Sequence, residues 1–75
     1  MAAAFVHETA IVEDGVTLGD YTRVWHHCHV RRGAVFGSHC SLGKHVFIDA
    51  GVQVGSRGKV QNNVSVYAGV TLHDD

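Results

Sequence analysis

Seven histidines stand at positions 7, 26, 27, 29, 39, 45 and 73 of a 75-residue chain, alongside the amides Gln61, Asn62 and Asn63, the lysine Lys44 and a single tryptophan, Trp25. Imidazole accepts and returns a proton near neutral pH. A carboxamide offers two N–H donors and one carbonyl acceptor, and a lysine ammonium attracts phosphate or carboxylate. Together they suit a reaction that needs a base and hydrogen-bond donors at a developing negative charge. The groups are spread along the chain, so whether they share a site depends on what folds them together.

The chain carries a six-residue repeat. Val6, Val12, Leu18, Val24, Val30, Phe36, Leu42, Ile48, Val54, Val60, Val66 and Leu72 are twelve apolar residues in twelve steps of six. Two places before each stands a residue that is mostly small or β-branched, as at Ala10, Thr22, Cys28, Ala34, Cys40 and Val46. Two inward residues flanking one outward residue are the mark of a short strand, and the remaining three residues turn the chain. One hexad cannot cover its own apolar side, so hexads must stack.

The glycines set the size of one circuit. Gly15, Gly33, Gly51 and Gly69 recur every 18 residues, as do Gly19, Gly37 and Gly55, so three hexads complete a coil. Glycine at a bend serves either a positive φ or a close backbone approach, and both columns are read as corners of a triangular prism. The expected fold is all-β: a parallel β-helix of about four triangular coils over residues 1–75, one domain, with no helix. Residues 18 apart become vertical neighbours, about 4.8 Å from one another.

The third corner, built from His7-Glu8-Thr9, Trp25-His26-His27, Gly43-Lys44-His45 and Gln61-Asn62-Asn63, gathers the chemistry. Stacking places His26, Lys44 and Asn62 in one column and His27, His45 and Asn63 in the next. A corner that is merely solvated favours Lys, Glu, Asp, Ser and Gly instead. His7, His39 and His73 are read as structural. On one wall the outward column is Ile11, His29, Phe47 and Ser65, and exposed Ile and Phe in a column suggest a contact surface. A cyclic trimer packed through that wall would set His26, His27 and His29 in the cleft between subunits.

Net charge is −1 with neutral histidine, and the six Lys and Arg are scattered, which argues against a nucleic-acid or membrane partner. The opening MAAAFVHE has no basic segment or long apolar core, so it does not read as a signal peptide, and a cytoplasmic location is expected. Cys28 and Cys40 fall in the small inward column on different walls, and are expected to be free, buried thiols serving as small apolar filler.

The string Val24-Trp25-His26-His27-Cys28-His29-Val30, then Cys40-Ser41-Leu42-Gly43, then VQNNVSVYAGVTLHDD from Val60, resembles the hexapeptide-repeat acyltransferases. Within them it is most similar to the N-acetyltransferases acting on the 3-amino group of nucleotide-linked sugars in surface-polysaccharide synthesis. The resemblance implies a left-handed helix, acetyl-CoA as co-substrate without a metal, a nucleotide-sugar acceptor, a homotrimer, and further coils after Asp75 that contribute much of the acetyl-CoA site. Carried onto this sequence, the catalytic positions are Asn62, Asn63, His26 and His29. Trp25, His27, Lys44, His45 and Gln61 line the substrate side, with His27 standing where relatives usually carry an aromatic residue. No Ser-His-Asp arrangement is identifiable, so direct transfer is expected over an acyl-enzyme. Two rivals stand beside this reading. One is a non-catalytic trimeric β-helix module. The other is a zinc site of the β-helix carbonic anhydrase type, which the absence of any two histidines five residues apart disfavours.

Overall fold

A computed structural model describes residues 4–74. Each hexad supplies one two-residue strand, and the strands are numbered in chain order. The first wall holds β1 (Phe5–Val6), β4 (Arg23–Val24), β7 (Ser41–Leu42) and β10 (Lys59–Val60). The second holds β2 (Ile11–Val12), β5 (His29–Val30), β8 (Phe47–Ile48) and β11 (Ser65–Val66). The third holds β3 (Thr17–Leu18), β6 (Val35–Phe36), β9 (Gln53–Val54) and β12 (Thr71–Leu72). All neighbours are parallel and pair in an 18-residue register, such as Arg23 with Ser41 and His29 with Phe47. The result is a three-sided parallel β-solenoid of about four coils, and no helix occurs among the described residues.

The inside is filled as the repeat dictates. Val24, Val30, Phe36, Leu42 and Ile48 are fully buried, with Cys28, Ala34, Cys40, Val46 and Val52 filling the narrower spaces beside them. Each fully buried large aliphatic side chain contributes about 1.5–3 kcal/mol relative to an exposed one. Toward the two ends of the described stack the same inward columns open: Val6, Val64 and Val70 are exposed.

Both cysteines are free and buried, yet they are more than filler. The Cys28 thiol donates to the Gly43 carbonyl at 2.8 Å and the Cys40 thiol to the Gly55 carbonyl at 3.0 Å. Thr22, the one buried polar side chain among the described residues, donates from its hydroxyl to the Gly37 carbonyl at 2.7 Å. The coil above presents a corner carbonyl to the interior, and a short donor in the small column satisfies it.

The two glycine columns are corners for different reasons. Gly51 has a φ of 72° and open space where a Cβ would sit. Gly37 lies against the next coil, and a Cβ there would meet the Ser56 backbone nitrogen at 2.6 Å.

Candidate functional site

The corner between the first and second walls is built from tight turns whose last residue is left-handed. His27, His45 and Asn63 have φ of 55°, 56° and 62°. Histidine and asparagine tolerate this region better than most residues, so backbone conformation accounts for part of the corner's composition. The turns are stitched together vertically: the His45 N–H donates to the His26 carbonyl at 2.9 Å and the Asn63 N–H to the Lys44 carbonyl at 3.0 Å.

Side chains follow the same stacking. The His27 and His45 rings lie nearly parallel, with centroids 5.0 Å apart and planes at 20°. His26 packs on His7 at 3.9 Å, while Trp25 packs on Phe5 at 5.0 Å. His7 itself accepts the Thr9 N–H at its Nδ1, and His39, on another corner, stacks on Tyr21 at 4.9 Å. Both contacts suit the structural reading of these two histidines.

Asn62 has a structural duty. Its Oδ1 accepts the Lys44 N–H at 2.9 Å, closing the turn one coil below. Gly43 makes room for that oxygen, since any Cβ there would overlap it. The Nδ2 of Asn62 remains as the group that a ligand can use. Gln61, Asn62, Ser41 and Lys59 also line a shallow cleft of about 320 Å³. A larger hollow, about 570 Å³, lies instead against Gly37, Gly55, Ser56 and His73, away from the histidine corner.

His29 belongs to the wall. It projects outward from β5 with its ring edge-on to Phe47, centroids 5.7 Å apart and planes at 90°. Its Nε2 lies 2.8 Å from Oε2 of Glu13. The second Glu13 oxygen accepts the Arg32 N–H at 3.0 Å. These contacts, the His29 bond foremost, hold the Glu13 carboxyl below the usual glutamate range. Arg31 turns away to Asp49 at 3.1 Å, and hydrogen bonds led by the Ala50 N–H hold that carboxyl low too.

The structure therefore gathers the expected residues in groups. Trp25, His26 and His7 form one; His27 and His45 another; Lys44, Gln61 and Asn62 a third. It does not bring all four expected catalytic positions to one point. His26 and His29 belong to the second coil and Asn62 and Asn63 to the fourth, two strand spacings, or about 10 Å, apart along the axis. Glu13 was missing from the sequence reading. Its partner is 16 residues away, a diagonal neighbour in the stack, and vertical columns alone do not reveal such a pair.

No known family profile matches the chain. Over 37 residues it is 49% identical to the acyl-[acyl-carrier-protein]–UDP-N-acetylglucosamine O-acyltransferases of Brucella anthropi, Brucella ovis and Brucella canis. The matched stretch is 49% of this chain, and it spans 13% of the length of those relatives. Among the described residues no group of three or more His, Cys, Asp or Glu is placed to hold a metal ion, and no helix is long and apolar enough to cross a membrane.

Proposed function

We infer that this chain forms coils of an acyltransferase whose acceptor is a nucleotide-linked amino sugar, with acetyl-CoA as donor and the sugar's 3-amino nitrogen as nucleophile. The observation that carries this reading is the 49% identity to acyltransferases acting on UDP-N-acetylglucosamine, found in a chain that folds as stacked hexads. The resemblance of the QNNVSVY string to amino-sugar N-acetyltransferases supplies the choice of nitrogen as the acceptor atom.

The amine lone pair attacks the thioester carbonyl carbon, an N–C bond forms and the C–S bond breaks. His29 takes the proton that the nitrogen loses and returns it to the departing sulfur as CoA thiol. Holding the two reactants in line supplies much of the acceleration, and a positioned base adds about 10²–10⁴-fold. The amides in the fourth coil are too far from His29 to share one reacting atom with it. They serve a long ligand instead: Asn62 Nδ2, Asn63 and Gln61 donate to its oxygens, and Lys44 meets phosphate or a sugar carboxylate. Trp25, His26, His27 and His45 line the second- and third-coil part of the same track. A single chain offers only a shallow cleft here, so a second copy packed on the wall of Ile11 and Phe47 completes the pocket, as in a homotrimer.

A second reading, favoured by the relatives' own specificity, is acyl transfer from acyl carrier protein to a hydroxyl of UDP-N-acetylglucosamine. Incubating the protein with each donor and acceptor pair and identifying products by mass spectrometry separates the two. N-acetylated 3-amino sugar nucleotide is the expected product, and O-acylated UDP-N-acetylglucosamine would replace the first reading by the second. If neither forms and no nucleotide sugar binds, the chain is a non-catalytic β-solenoid module.

A further inference from the structure

Four histidines lie on or beside the candidate corner in the second and third coils, and only His29 is held by a carboxylate. His27 and His45 stack on each other and His26 packs at a tilt against His7, contacts that leave the choice of protonated nitrogen open. At His29 the choice is made. A carboxylate only accepts, so the 2.8 Å contact with Glu13 Oε2 puts the proton on Nε2 and leaves the lone pair on Nδ1. Glu13 is itself fixed, because its other oxygen takes the Arg32 N–H at 3.0 Å. Phe47 closes the opposite side of the ring edge-on. Arg31, the nearest cation in sequence, makes its ion pair with Asp49 at 3.1 Å and acts on the Glu13 charge less than His29 does. Ile11, the strand neighbour of His29 on the other side, carries no charge.

We propose that Glu13 is the positioning residue for His29: it fixes the tautomer that presents Nδ1 as the proton acceptor and stabilises the imidazolium formed when the acceptor amine is deprotonated. The inference rests on the transfer reaction proposed above for its kinetic consequence, and on the Glu13–His29 pair alone for its structural one. The proton moves from nitrogen to Nδ1 as the N–C bond forms, passes from Nδ1 to the departing CoA sulfur as the C–S bond breaks, and the Nε2 proton stays in place throughout. Glu13 touches no substrate in this scheme.

Two measurements test it. Nitrogen-15 NMR of the histidine rings in the whole protein is expected to show His29 in the Nε2–H form at neutral pH and to lose that preference in Glu13→Gln, where one carbonyl oxygen must serve both the Arg32 N–H and the imidazole. Wild-type His29 in the Nδ1–H form would overturn the proposal whatever the activity. In the acetyl-transfer assay Glu13→Gln is expected to lower kcat about 10–100-fold with little change in KM. Glu13→Asp, which keeps the charge, recovers part of the loss. If His29→Ala abolishes transfer while Glu13→Gln leaves kcat unmoved, the positioning role is wrong and the base assignment stands. If His29→Ala retains full activity, the base assignment falls, and with it the kinetic role of Glu13. Circular dichroism of each variant establishes that the coils are intact.

Discussion

Replacing Asn62 by Asp separates the two contributions of its side chain, because Oδ1 accepts the Lys44 N–H while Nδ2 is left for a ligand. Asn62→Asp keeps the acceptor, so thermal stability is expected to stay close to wild type while nucleotide-sugar affinity falls. Asn62→Ala loses both, and costs about 1 kcal/mol of stability in urea titration as well. Equal loss of stability in the two variants would mean that the carbonyl bond is not what holds that turn. Asp49 offers a pH-dependent counterpart away from the site. Its carboxyl titrates lower in the folded chain, chiefly through the Ala50 N–H at 2.7 Å, so the unfolded chain binds the proton more readily as pH falls. The stability it contributes is complete above the ordinary aspartate range and disappears as pH drops through the lowered folded value. The difference in melting temperature between wild type and Asp49→Asn is therefore expected to be constant above the ordinary aspartate range and to shrink progressively as pH falls below it.

At the scale of the turn, the two kinds of glycine corner make opposite demands. Gly51→Ala meets no neighbour and suffers only the left-handed backbone, about 1–2 kcal/mol. Gly37→Ala has ordinary φ but drives its methyl into the Ser56 backbone, which forces two coils apart and costs about 3 kcal/mol or more. Chemical denaturation of the two variants checks the order; the reverse order would mean that the corner spacing is soft. Six-residue periodicity makes every strand and every wall legible in the sequence, since in a solenoid the fold is the repeat. The site was less legible. Counting imidazoles and amides singles out one corner, but His27, His45 and Asn63 also occupy left-handed positions that histidine and asparagine favour on backbone grounds. Composition therefore mixed two causes. The 18-residue columns paired His27 with His45 correctly, and they missed Glu13 because corner side chains also reach diagonally to the neighbouring wall. They likewise gave no sign that Cys28 and Cys40 cap carbonyls, a role that belongs to the turn above rather than to their own hexad.

Across the whole molecule, strand pairing runs only between adjacent coils, and the first and last coils each leave apolar side chains uncovered. The outward column on the second wall adds Ile11, which is 59% exposed. Ile11→Lys is expected to reduce a three-chain species to a single chain in sedimentation velocity while leaving the β-sheet signal unchanged; a wild-type protein that sediments as one chain would refute the trimer. Parallel pairing in an 18-residue register has a genetic corollary. Excising residues 41–58 would join two equivalent bends, and Val60 would settle onto the storey vacated by Leu42. Losing a number of codons not divisible by six would turn wet faces inward, and losing six or twelve would bring unlike corners over one another, such as glycine turns over the His27 and His45 turn. Viable length variants of this gene should thus come in whole storeys, and the particular excision just described would lower Asn62 and Asn63 to the floor directly above His26 and His27.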